Sequence, residues 1–185
     1  MSEHTPGDAP AGPSAFRVDS ANSAVLVEAR SSVGPIELAT SDLSGEAAVV
    51  ITDGALDVDS EPSAVIQMLV SSLRSGNPVY DAEVHRRLDA RRYPTIQAQL
   101  RSVRELAESR WAMEGDLTIH GNTRRLSGSA EVKLVGDNRL VVIGAHVIDI
   151  RDFSISLPST LMLRIYPDVM VRFRIEAAVV GRDEG

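Results

Sequence analysis

From residue 15 onward the chain alternates apolar and polar positions with a period of two. Val25, Val27 and Ala29 share one parity, as do Leu43, Gly45, Ala47, Val49 and Ile51. Trp111, Met113, Gly115, Leu117 and Ile119 face one way, while Ala112, Glu114, Asp116, Thr118 and His120 face the other. The same rhythm returns over 126–134 and over 169–175. Such alternation describes antiparallel strands with one apolar and one wet face. Thr52-Asp53-Gly54, His120-Gly121-Asn122 and Gly136-Asp137-Asn138 stand between these runs, where tight chain reversals need residues that tolerate left-handed backbone. About eight strands joined by short turns predict an all-β domain, either a closed barrel or a sandwich.

Three stretches depart from the pattern. Residues 78–92 read as a short helix, with Pro78 near its start and Pro94 just beyond its end. A single helical turn is expected over 157–163, ahead of the last strand. The strand over 140–150 is apolar on both faces, with Leu140, Val142 and Ile148 opposing Val141, Ile143, Ala145 and Val147. A barrel wall needs only its inner face apolar, so the other face predicts a cover. The helix over 78–92 carries Arg86, Arg87, Arg91 and Arg92, which suit solvent, so the expected cover is a second copy of the chain in a homodimer.

Composition narrows the function. The 185 residues are 43% apolar and 24% charged, enough for one domain with a real core. The absence of cysteine excludes disulfides, cysteine-ligated zinc, iron–sulfur clusters and thiol catalysis. A net charge of −7, with one Trp, three Tyr and three Phe, argues against nucleic acid as a partner. Residues 1–14 lack the basic and apolar parts of a secretory signal, and no run approaches the ~20 apolar residues of a membrane span. The expectation is a disordered tail over 1–14, one domain over 15–181, a short tail over 182–185, and a cytoplasmic location.

Few side chains suggest chemistry. Asp81 and His85 lie four apart, so one helical face could offer both to a metal or a proton; a surface Asp–His pair is the simpler reading. His120 falls in a turn and is expected to bond local backbone. His146 falls in the doubly apolar strand and is expected to be a buried, satisfied imidazole. No spacing of histidines, glycines or serines matches a metal, phosphate or nucleophile motif, so neither a metal site nor catalytic residues are expected. Asp57 and Asp59 fit a solvated strand end. Residues 86–104 hold six arginines, Arg86, Arg87, Arg91, Arg92, Arg101 and Arg104, against Asp89 alone. They form either a solvated face or a dock for anionic headgroups, with transient membrane-surface contact, or for an acidic partner.

Three segments carry a resemblance. Gly115-Asp116-Leu117-Thr118-Ile119-His120-Gly121-Asn122-Thr123 matches a G-D-L-T-I-H-G-x-T hairpin. Ser72-Leu73-Arg74-Ser75-Gly76-Asn77 is followed by an Asp-containing helix and then Tyr93-Pro94-Thr95-Ile96. Arg151-Asp152-Phe153-Ser154-Ile155 is close to R-x-D-F-G-I, with Ser154 where glycine is usual. Over about 16–180 the chain thus resembles the YceI-like family of polyisoprenoid-binding, lipocalin-like barrels. The resemblance implies an eight-stranded antiparallel barrel with one or two short helices and no resident cofactor. Its interior would hold an isoprenoid, quinone-type or similar amphipathic lipid, bound without catalysis. The inward register then predicts a lining of Val25, Val27, Val49, Ile51, Ile96, Leu100, Trp111, Met113, Leu117, Ile119, Val171, Phe173 and Ile175. Relatives often carry bulky residues just before Tyr-Pro. Leu88-Asp89-Ala90-Arg91-Arg92 in their place predicts a more polar cavity mouth. A second reading is an interaction module with a filled barrel, docking a partner through residues 86–104 or the strand over 140–150. Alternation looks the same for a filled core and a lined cavity.

Overall fold

The computed structural model describes residues 12–136, 138–157, 159–160 and 163–181. The first strands are β1 (Ser14–Val18), β2 (Ala24–Ser31), β3 (Gly34–Thr40), β4 (Leu43–Thr52), β5 (Ala55–Asp57) and β6 (Ser63–Leu69). After the α-helix α1 (Pro78–Arg87) come β7 (Thr95–Ala107), β8 (Arg110–Ile119), β9 (Asn122–Val135) and β10 (Arg139–Asp149). The last are β11 (Ser159–Thr160) and β12 (Leu163–Val179). Eight of them form an antiparallel ring in the order β1–β4–β6–β7–β8–β9–β10–β12, and β12 pairs back onto β1 to shut it.

The seam of the ring is β12. One of its edges carries β10 from Asp149↔Asp168 to Arg139↔Ala178. The other edge is shared, with β2 along its first part and β1 along its last. Between those two partners the chain steps aside in a 3₁₀ turn, Ser20–Asn22, in which the Ala21 amide donates to the capping Asp19 carboxylate at 3.1 Å. Buried Ser23 pins the step by accepting from the Glu176 amide at 2.9 Å and donating to the Asp19 carbonyl at 2.7 Å. The Glu176 carboxylate, buried on the outer face, is neutralised by Arg174 at 2.9 Å and Arg139 at 2.7 Å.

One end of the ring is plugged. The segments over 70–94 and 150–157 fold across it and bring Val70, Leu73, Leu88, Ile119, Phe153 and Ile155 into one cluster. Helix α1 starts where sequence predicts, with Asn77 capping the Val79 amide and Pro78 in the first turn. It ends five residues short of the predicted 92. Asp89 takes a left-handed φ of 45°, its amide donates to Arg86, and the Ala90 amide donates to the His85 carbonyl. That pairing is a Schellman motif, and it turns Leu88 into the plug. Where sequence predicts a helical turn, over 157–163, Ser159–Thr160 pair with β12 as β11, and residues 158, 161 and 162 lie outside the described residues; a 3₁₀ turn stands earlier, at Ile150–Phe153. Ser154 ends that turn at φ 58°, the conformation glycine would adopt more cheaply. At the N-terminus β1 takes in Ser14, one residue of the predicted tail. Residues 182–185, His4 and Asp137 lie outside the described residues.

The hairpin motif fastens the plug. His120 and Gly121, at φ 50° and 71°, make the two-residue turn of the β8–β9 hairpin. A Cβ on Gly121 would lie 2.5 Å from the Tyr93 ring, which rests on the bare backbone there. The His120 side chain bonds not local backbone, as expected from sequence, but the distant Phe153 carbonyl, to which its Nδ1–H donates at 3.3 Å. Asn122 donates to the same carbonyl at 3.0 Å. Gly121→Val therefore meets both left-handed strain and a collision, together roughly 2–4 kcal/mol. His120→Ala loses one hydrogen bond, about 1 kcal/mol. Urea denaturation of both variants should show the valine as clearly the more damaging; equal losses would contradict this account of the turn.

Candidate binding cavity

The ring is hollow above the plug. A cavity of about 380 Å³ runs up its interior, within the range of small-ligand pockets and walled almost wholly by apolar atoms. Its space comes from small residues in the inward register: Ala47, Ala64, Ala98, Gly115, Gly128 and Ala130 all lie on the wall. Ala98 and Gly128 point inward and yet remain exposed. The Phe173 ring lies against Gly144, where a Cβ would sit 2.5 Å from it, and so flattens onto β10. The filled barrel on which the interaction-module reading rested is thereby overturned. At the end opposite the plug the wall continues to Val58 and Pro62, in the β5–β6 connection, and to Val103 on β7.

Ten of the thirteen lining residues named from sequence stand on this wall: Val25, Val49, Ile96, Leu100, Trp111, Met113, Leu117, Val171, Phe173 and Ile175. The other three point inward but are spent on closing the ends. Ile119 is buried inside the plug and Val27 packs against it. Ile51 packs with Leu56 and Leu134 in a second cluster around Phe16. Sequence reasoning missed Leu43, Ile66, Met68 and Val142, which belong to the same inward register. It missed Val103 because a bulge between Leu100 and Ser102 shifts the parity of β7.

The arginines serve other ends. Arg86 and Arg87 both bind Glu83, at 2.9 and 2.6 Å, and Arg87 also donates to the Ser156 carbonyl at 2.6 Å. Arg101 pairs with Asp116, whose carboxyl is held below the usual range by Arg125 first and Arg101 second. Arg92 lies over the Tyr93 ring. Arg91 is exposed, but it and the rest of 88–92 sit at the plugged end. The proposed headgroup dock of Arg86, Arg87, Arg91 and Arg92 is thus remote from the mouth, and two of its members are already paired. The polar mouth inferred from 88–92 falls with it.

The Asp81–His85 pair is likewise committed to the scaffold. Asp81 accepts from the Ser75 hydroxyl and amide, both at 2.7 Å, which hold its carboxyl below the usual range. His85 Nε2–H donates to the Leu73 carbonyl at 3.0 Å. Among the described residues no three His, Asp or Glu side chains gather as a metal site. His146 departs from its expected state: it points into the cavity, half-buried, and among the described residues it has no hydrogen bond of the kind His85 and His120 make.

This architecture has relatives. BcnA of Burkholderia cenocepacia superposes with a TM-score of 0.72 at 21% identity, over 86% of this chain and 98% of its own. A polyisoprenoid-binding domain from Saccharophagus degradans, implicated in plant cell wall breakdown, gives 0.69 at 15% identity, over 90% and 99%. The YceI protein of Campylobacter jejuni gives 0.62 at 17% identity, over 76% and 82%. No curated protein matches the chain. The family model of the YceI-like domain matches residues 16–177, nearly the whole barrel. The chain belongs to the YceI-like family.

Proposed function

We propose that the protein binds a polyisoprenoid or similar amphipathic lipid in the barrel and carries or sequesters it without chemical change. The observation that carries this reading is the apolar cavity itself, too spacious for a packed core and walled almost wholly by apolar atoms. Removing each ~100 Å² of tail surface from water contributes about 2.5 kcal/mol before ordering costs, so a single chain along the wall suffices for tight binding. The polyisoprenoid-binding relative supports the same class of ligand. Native mass spectrometry of protein made in its own host should reveal a bound lipid-sized mass. Met113→Lys, which places an unpaired charge on the wall, should remove that mass from a folded protein. A consistently empty wild-type barrel would sink the proposal.

A second copy of the chain is the proposed partner of the outer face of β10. Ile143 and Val147 there are 39% and 51% exposed, and α1 does not cover them. Beside Ile143 stand Glu131 on β9 and Arg174 on β12, and beside Val141 stand Lys133 and Glu176. A two-fold axis along β10 would set the β9 row of one copy against the β12 row of the other. Because Lys133 already pairs with Glu131, and Glu176 with Arg174 and Arg139, both rows meet as ion pairs around the apolar stripe. Val141 is buried, so Ile143→Asp is the cleaner test. Sedimentation should show wild type at about twice the 19.9 kDa chain mass and the variant as a folded monomer. Wild type that stays monomeric at high concentration would refute the pairing.

A further inference from the structure

We propose that His146 orients the ligand, which enters head first and carries an uncharged hydroxyl or carbonyl oxygen at its deep end. The inference rests on the lipid-binding reading and deepens it. Along β10 the inward positions run from Ile148, a member of the plug, to His146, Gly144, Val142 and Leu140. His146 therefore stands one step above the cavity floor, level with Val171 on β12. Its ring lies over Gly128 of β9, which has no side chain to hold it off: a Cβ on that glycine would stand 3.3 Å from Nδ1, so the imidazole lies along the wall with the lumen beside it. A neutral imidazole presents one donor and one acceptor nitrogen, and in a site this apolar both seek a partner. A ligand hydroxyl can engage either nitrogen, and a carbonyl can accept from the protonated one.

The charge of that head group follows from the wall. Among the described residues no arginine or lysine lines the cavity, and the ionised residues that touch it, Asp57, Glu114 and Asp116, are all carboxylates. A phosphate or carboxylate at the floor would be buried without a counter-charge. An anionic lipid could bind only with its tail inward and its head outside the mouth. The presence of His146 at the floor favours the opposite orientation and a neutral head.

The single tryptophan, Trp111, lies on the cavity wall, so its fluorescence reports occupancy in the delipidated protein. Three probes share one skeleton: geranylgeraniol, the corresponding hydrocarbon and geranylgeranyl diphosphate. Wild type should bind the alcohol roughly three- to tenfold more tightly than the hydrocarbon, the worth of one neutral hydrogen bond, and more tightly than the diphosphate. His146→Phe should keep the hydrocarbon affinity and lose the preference for the alcohol. Equal affinity of wild type for alcohol and hydrocarbon would overturn the inference, as would a diphosphate bound as tightly as the alcohol or a preference that survives in His146→Phe. In each of those cases lipid binding itself would stand. Failure of all three probes to bind wild type would remove the lipid-binding reading and this inference together.

Discussion

Everything in this molecule depends on where the large side chains stand inside a ring whose backbone is already satisfied. Closure of β12 onto β1 joins the eight-stranded wall end to end, so strand pairing alone does not decide what fills the interior. Ring size leaves that open too, since eight strands can be filled by side chains or can enclose one small ligand. Placement decides. Bulky residues crowd one end, where Phe153, Leu88 and Ile119 join the inward ends of the strands. Alanine and glycine occupy the middle, and the void is theirs.

The strands and turns were legible because half-burial imposes a period of two and tight reversals impose glycine or asparagine. Hollowness was harder to read, since apolar alternation is common to a packed and a lined barrel. The signal was nonetheless present in the inward register itself, at Ala47, Ala64, Ala98, Gly115, Gly128 and Gly144. Counting only the bulky members of that register named ten wall residues and passed over the small ones that make the room. Where alternation slipped, at the β7 bulge, the reading slipped with it. The arginines misled for another reason. Charge counted along 86–104 leaves out Glu83, one turn earlier on α1, and the Ser156 carbonyl, a contact that exists only in the folded chain.

Histidines show the same division between local and tertiary information. Three of the four lie among the described residues, and nothing in their flanking sequence separates their fates. His85 ties α1 to the Leu73 carbonyl and His120 ties the β8–β9 turn to the Phe153 carbonyl, so both are fasteners of the plug. His146, with the most apolar neighbours in sequence, is the one without a hydrogen-bond partner among the described residues. Its strand is lined by the lumen on one side and by an exposed apolar stripe on the other. An unusual two-faced strand thus signalled two separate surfaces, where the sequence alone suggested one interface and a buried ring.

The segments that carry the family resemblance converge on the closed end. Tyr93-Pro94, the His120-Gly121 turn and Arg151–Ile155 brace one another there through the Tyr93–Gly121 contact and the shared Phe153 carbonyl, and the Ser72–Asn77 stretch is held to α1 through Leu73–His85 and Ser75–Asp81. Shared motifs therefore describe how the barrel is stoppered, and a stopper is needed whatever the barrel holds. Much of the cavity wall, including Met113, Gly128, His146 and Phe173, falls outside those motifs, which reach it only at residues such as Ile96, Gly115 and Leu117. Two barrels of this family can then agree in fold and in every motif while differing in what fits. For this chain, the distinguishing feature is the His146 imidazole one step above the floor of a largely apolar wall that, among the described residues, carries no arginine or lysine.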